Sequence, residues 1–81
     1  MIIEKKVRLS YPKEKLDQPL IYRLIRDYDL MTNILKAHVN EKSGWLVVLI
    51  RGDATKIQKG LDWILEQGIK VEVLAEKQEV G

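Results

Sequence analysis

The chain has 81 residues, 46% apolar and 32% charged, with 14 basic and 12 acidic side chains and a formal net charge of +2. That length holds one domain, residues 1–81, with a limited core, and the composition is that of a globular rather than a disordered chain. With no cysteine and a single histidine, it excludes disulfides, iron–sulfur clusters and thiolate or multi-histidine metal sites, while the near-balanced charge supplies no electrostatic pull toward nucleic acid or an anionic membrane.

Met1 to Lys6 meets charge almost at once and has no apolar export segment. No apolar run approaches the roughly 20 residues that span a bilayer. A soluble, cytoplasmic protein is the expectation. Val7 and Leu9 then alternate with Lys6, Arg8 and Ser10, the pattern of a half-buried strand, and Pro12 ends it. A helix is predicted from about Asp17 to Tyr28, because Leu20, Ile21, Leu24, Ile25 and Tyr28 share one face. Asp17 is the expected cap and Pro19 suits the first turn.

Leu35, Ala37 and Val39 alternate with Lys36, His38 and Asn40 as a second strand. Glu41 to Gly44 reads as a hairpin turn, with the glycine available for a positive φ. Trp45 to Ile50 is apolar throughout and reads as a buried third strand. A second helix is predicted from Asp53, its cap, to Gln67, with Ile57, Leu61, Ile64 and Leu65 buried. Gly60 inside it predicts a close approach to the sheet, and Gly68 ends it in the left-handed region. Ile69, Val71 and Val73 form a fourth strand, after which Ala75 to Gly81 is expected to fray.

The order strand–helix–strand–strand–helix–strand, with right-handed crossovers, predicts a ferredoxin-like α+β sandwich. Four antiparallel strands carry two helices on one face. Along the third strand, one row, either Trp45, Val47 and Leu49 or Leu46, Val48 and Ile50, must then face away from the helices. One residue of slip at the hairpin decides which. Long charged side chains such as Lys36 or Arg8 can fold over that row, but a second copy of the domain is favoured as its cover, giving a homodimer.

No nucleophile–base pair is readable, and no phosphate-binding glycine pattern occurs. Asp17 and Asp53 are better explained as caps than as an acid–base pair. His38 is a lone surface or interface histidine. RNA-recognition modules of the same fold stack bases on aromatic residues of the central strands. Here Trp45 alone is a poor platform, and Tyr28 and Trp63 belong to helices. The reading is therefore of a domain that binds rather than catalyses, without metal or cofactor. The segment Asp29 to Asn33 leads into the second strand, where Asn33 offers both a donor and an acceptor. Met31 and Ile34 are candidate walls of an apolar pocket for a small molecule.

The run Thr32-Asn33-Ile34-Leu35 contains the tripeptide NIL. Around it, "PLIYRLIRDYDLMTNILKAHV", "GWLVVLIRGD" and "IQKGLDWILEQGIKVEVL" resemble, in order and spacing, the elements of the NIL domain family over about residues 5 to 74. The resemblance implies a ferredoxin-like domain, related in architecture to ACT domains and found at the C-terminus of methionine-transporter ATPases. Paired domains there bind methionine and inhibit transport, and the asparagine corresponding to Asn33 takes part. It thus implies an amino-acid sensor, foremost for L-methionine. Other members precede an iron–sulfur domain, which implies the alternative of a protein-interaction module for a separate iron–sulfur or sulfur-assimilation partner. This chain holds neither an ATPase domain nor cluster ligands, so the expectation is an independent sensor, a module acting with a separate partner, or a fragment.

Overall fold

A computed structural model describes residues 1–15 and 17–78. Its elements are β1 (Ile2–Pro12), a 3-10 turn (Lys13–Lys15), α1 (Leu20–Tyr28), β2 (Met31–Val39), β3 (Ser43–Asp53), α2 (Ala54–Glu66) and β4 (Lys70–Gln78). The strands form one antiparallel sheet in the order β2-β3-β1-β4, with both helices on one face, which is the ferredoxin-like arrangement. The core lies between them, built from Val7 and Leu9 of β1, Val48 and Ile50 of β3, Leu24 of α1 and Ile57 and Ile64 of α2.

The pairing of β1 with β3 settles the faces. Val7 stands opposite Val48 and Leu9 opposite Leu46, so Leu46, Val48 and Ile50 meet the helices. Trp45, Val47 and Leu49 form the outward row. The expectation that this row needs a second copy is weakened by its own neighbours, since Val47 is only 8% exposed. Arg8 places its guanidinium carbon 4.7 Å from the centre of the Trp45 ring. Exposed apolar side chains lie instead at both edges of the sheet, on β2, where Ile34 is 51% and Val39 64% exposed, and on β4, at Val73 and Leu74.

Several boundaries differ from the sequence reading, each for a local reason. The first helix begins at Leu20, not Asp17, and Pro19 takes its N-cap position without a side-chain cap bond. A residue before proline is pushed out of the helical region, which keeps Gln18 outside. The hairpin uses no positive-φ glycine: among the described glycines only Gly68, at +83°, has one. Asn40 closes the turn instead, its Oδ1 accepting from the amides of Lys42 (2.8 Å) and Ser43 (3.0 Å). Residues 75 to 78, expected to fray, continue β4 by pairing with Ile3 to Lys6, while residues 79–81 lie outside the described residues. Gly60 admits α1 rather than the sheet, since a Cβ there would stand 2.9 Å from Leu24 Cδ2 and 3.5 Å from Tyr28 Cγ.

The second helix starts as expected. Asp53 accepts hydrogen bonds from the amides of Thr55 (3.0 Å) and Lys56 (3.3 Å), which the first turn leaves without intrahelical partners. The Lys56 amide above all, then the N-terminal ammonium, holds the Asp53 carboxyl below its ordinary value of 3.8. A depressed folded pKa contributes stability that is complete above the unfolded value and disappears as pH falls through the folded one. Asp53→Ala should therefore melt below the parent at pH 7, and the gap should close as pH drops below about 4. Thermal melts of both proteins across that range check it.

Candidate functional site

A bulge decides which residues of β2 come together. Met31 pairs with Arg51 and Asn33 with Leu49, but Leu35 has no partner in the β2–β3 ladder, whose register shifts between Ile34 and Lys36. The extra residue resets the alternation. Met31, Asn33, Lys36 and His38 consequently share the open face with Trp45, Val47, Leu49 and Arg51, while Thr32, Ile34, Ala37 and Val39 share the helix face.

On the open face, Glu4, Met31, Thr32, Asn33, Leu49 and Arg51 line a hollow of about 200 Å³. Two of the three residues singled out from the sequence, Met31 and Asn33, stand in it. Ile34 projects to the opposite side of the sheet and does not line it. The walls combine three chemistries. Leu49 and the 65%-exposed Met31 are apolar. Asn33 presents an amide that makes no hydrogen bond with a described residue. Glu4 and Arg51 bring a carboxylate and a guanidinium from β1 and β3.

These groups are partly engaged by the protein itself. Arg51 Nη1 approaches the Met31 sulfur at 4.0 Å, and Glu4 stands 3.9 Å from the Lys77 ammonium. A second hollow, of about 310 Å³, adjoins the first, and Met31 and Arg51 line both. Its rim includes the Lys56–Asp29 ion pair at 3.1 Å. Asp29 caps α1 in the left-handed region at φ 55°, so the turn that delivers Met31 onto the sheet also positions that carboxylate.

Glu4, Leu49 and Arg51 are not singled out by the sequence. Their signal is cross-strand register, which reaches a sequence reading only after the β2 bulge is known. His38 lies at the other end of the face, its ring centre 6.0 Å from that of Trp45 at 27° between planes. Among the described residues no group of three or more histidine or acidic side chains is placed to hold a metal ion, and no helix is long and apolar enough to cross a membrane.

A family profile described as the NIL domain matches residues 5–73. Methionine import ATP-binding protein MetN 2 of Oenococcus oeni is 35% identical over 74 residues, covering 86% of this chain and 21% of that protein. Methionine import ATP-binding protein MetN 1 of Paraburkholderia xenovorans is 36% identical over 73 residues, covering 85% and 21% respectively. The chain thus spans about a fifth of the length of these curated relatives. Among solved structures, the C-terminal domain of an ABC transporter ATP-binding protein from Enterococcus faecalis superposes with a TM-score of 0.76 at 20% identity, over 88% of this chain and 83% of that one. At that identity the likeness bears on the fold alone.

Proposed function

This chain belongs to the NIL domain family, and we propose that it is a cytoplasmic, non-catalytic regulatory domain that binds a small amino acid, foremost L-methionine, as a homodimer. The observation that carries the reading is the hollow around Asn33. A free amino acid is a zwitterion with a side chain, and its recognition calls for an acid, a base and a wall matched to that side chain. Glu4 faces the ammonium, Arg51 the carboxylate, and Leu49 with the Met31 thioether lines the space for an unbranched apolar chain. Asn33 serves either charged end through its amide. The relatives are named as methionine import proteins, which supports the choice of methionine.

Both charged walls already have protein neighbours, so the ligand exchanges one set of contacts for another and only the difference appears as affinity. Binding regulates by favouring whichever dimer arrangement it contacts better.

Calorimetric titration with L-methionine, beside leucine and homocysteine, tests this. A saturable heat for methionine is expected, weakened about tenfold or more in Asn33→Ala and in Arg51→Gln, the usual scale for a lost charged hydrogen bond. At about 100 times the dissociation constant, methionine should also add about 2.7 kcal/mol to the unfolding free energy. No heat and no thermal shift at millimolar methionine would overturn the sensing reading. A module that works only through a separate protein partner would then take its place.

A further inference from the structure

The opposite end of the same sheet face carries a third, larger cleft with different chemistry. Four residues of β3 separate Leu49 from Trp45, which puts it about 13 Å from the Asn33 hollow. The cleft has a volume of about 400 Å³ and is formed where β1 ends and β3 and β4 begin, with Arg8, Ser10, Ser43, Trp45, Gly68 and Lys70 in its walls. No carboxylate lines it. Its volume is within the range of pockets that hold small metabolites.

We propose that this cleft is an oxyanion site, one that takes the phosphate or sulfate group of a small metabolite between Arg8 and Lys70. Register places the two cations together: Ser10 pairs with Lys70 and Arg8 with Glu72, so Arg8 and Lys70 are diagonal neighbours on one face. Diagonal neighbours stand about 7–8 Å apart, close enough to repel and far enough apart to admit an anion. Neither makes an ion pair with a described residue, although Glu72 stands directly across from Arg8. By contrast Lys5, Lys56 and Lys77 each have a carboxylate within 4.0 Å.

Arg8 is also held in place. Its guanidinium lies against the Trp45 ring, a contact that lowers the entropy lost when it grips an anion. Hydroxyl donors complete the site. Ser10 and Ser43 line it from the same face as Arg8 and Trp45. Gly44 and Gly68 leave the backbone approachable on either side. Because Arg8 and His38 flank the indole, Trp45 serves as a wall for the organic part of the ligand rather than as a platform for a stacked base.

The two tryptophans, Trp45 and Trp63, make the test direct. In a Trp63→Phe background, Trp45 is the only indole, and it is titrated with inorganic phosphate, sulfate, phenyl phosphate and acetate at constant ionic strength. Phosphate and sulfate should change its emission saturably, while acetate acts more weakly. The affinity should fall about tenfold or more in Arg8→Gln and in Lys70→Gln, with Arg8→Lys between them and Asn33→Ala without effect. Tighter binding of phenyl phosphate than of phosphate identifies a phosphorylated metabolite; equal binding identifies the free anion. Thermal melts establish that each variant is folded. Amide chemical shifts of Ser10, Ser43 and Lys70 give a second readout if the emission is silent. No saturation by either measure, or saturation indifferent to both substitutions, would overturn the proposal.

Discussion

Leu24→Ala should cost about 2–5 kcal/mol of unfolding free energy, the range for deleting a fully buried leucine. Leu24 is completely buried on α1, and its Cδ2 lies where a Cβ on Gly60 would be 2.9 Å away, so it packs closely on α2. The space it leaves cannot collapse easily. Ile57 and Ile64 anchor α2 to the sheet, and Leu20 and Leu30 pin the ends of α1. At about 0.05–0.15 kcal/mol per residue, a chain of 81 residues holds roughly 4–12 kcal/mol in total. One leucine therefore carries a large part of the margin. The melting midpoint should fall by about 10 °C or more, at about 4–8 °C per kcal/mol. Ile25→Ala, one residue along the same helix but exposed, should stay within about 0.5 kcal/mol. Urea melts of the two variants measure the contrast, and similar losses in both would mean that α1 does not pack through Leu24.

The same contrast explains what could be read from the sequence and what could not. Periodicity reports which face of an element is buried, so spacing alone places Leu20, Leu24, Ile57, Leu61 and Ile64 in the core, but it also takes in Ile25 and Leu65, which sit at the edge of their stripes and are exposed. The Asp53 cap and the Gly68 terminator are local chemistry and were equally legible. Element ends were less so. The start of α1 depends on a conflict between Asp17 as a cap and the Gln18-Pro19 step, and the proline prevails. Residues 75 to 78 look polar enough to fray, but their backbone finds partners on β1.

The candidate site was half legible. Asn33 and Met31 stand out because an amide and a thioether side chain stand at the entry to the strand. Alternation along β2 also separates Ile34 from them, and it is found on the other face. Glu4 and Arg51 are invisible from the sequence because each is an ordinary charged residue on its own strand. Only the pairing of Met31 with Arg51, and of β1 with β3, converts them into the acid and base of one hollow. The Leu35 bulge is the missing datum. It carries no glycine or proline to announce it, and without it alternation counted back from the hairpin puts Met31 and Asn33 on the wrong face.

Leu35→Lys should dissociate the proposed homodimer, if it pairs through β2, with little effect on the monomer's own fold. The two edges of the sheet differ in how they are protected. Lys70, Glu72, Glu76 and Lys77 charge β4, the kind of protection that keeps edges from pairing. On β2 only Lys36 is formally charged, while Ile34, Leu35 and Val39 are exposed. A two-fold antiparallel pairing of β2 with itself also keeps every face consistent, provided that the axis passes between Ile34 and Leu35. Met31 then meets His38 of the partner subunit, Asn33 meets Lys36 of the partner subunit, and Ile34 packs on Leu35 of the partner subunit. The bulge is what allows this, since it puts Asn33 and Lys36 on the same side. In Leu35→Lys each copy loses an apolar contact and the two new ammonium groups stand close to the axis. A loss of about 1.5 kcal/mol per copy, the low end for burying a leucine, amounts to roughly a hundredfold in the dimer dissociation constant. Because the partner's Lys36 would stand beside Asn33, methionine affinity should fall with the dimer. Sedimentation equilibrium with and without methionine reads both effects. A parent chain that stays monomeric at high concentration would rule out this edge as the interface, and a variant that stays dimeric would return the contact to the Trp45–Leu49 face.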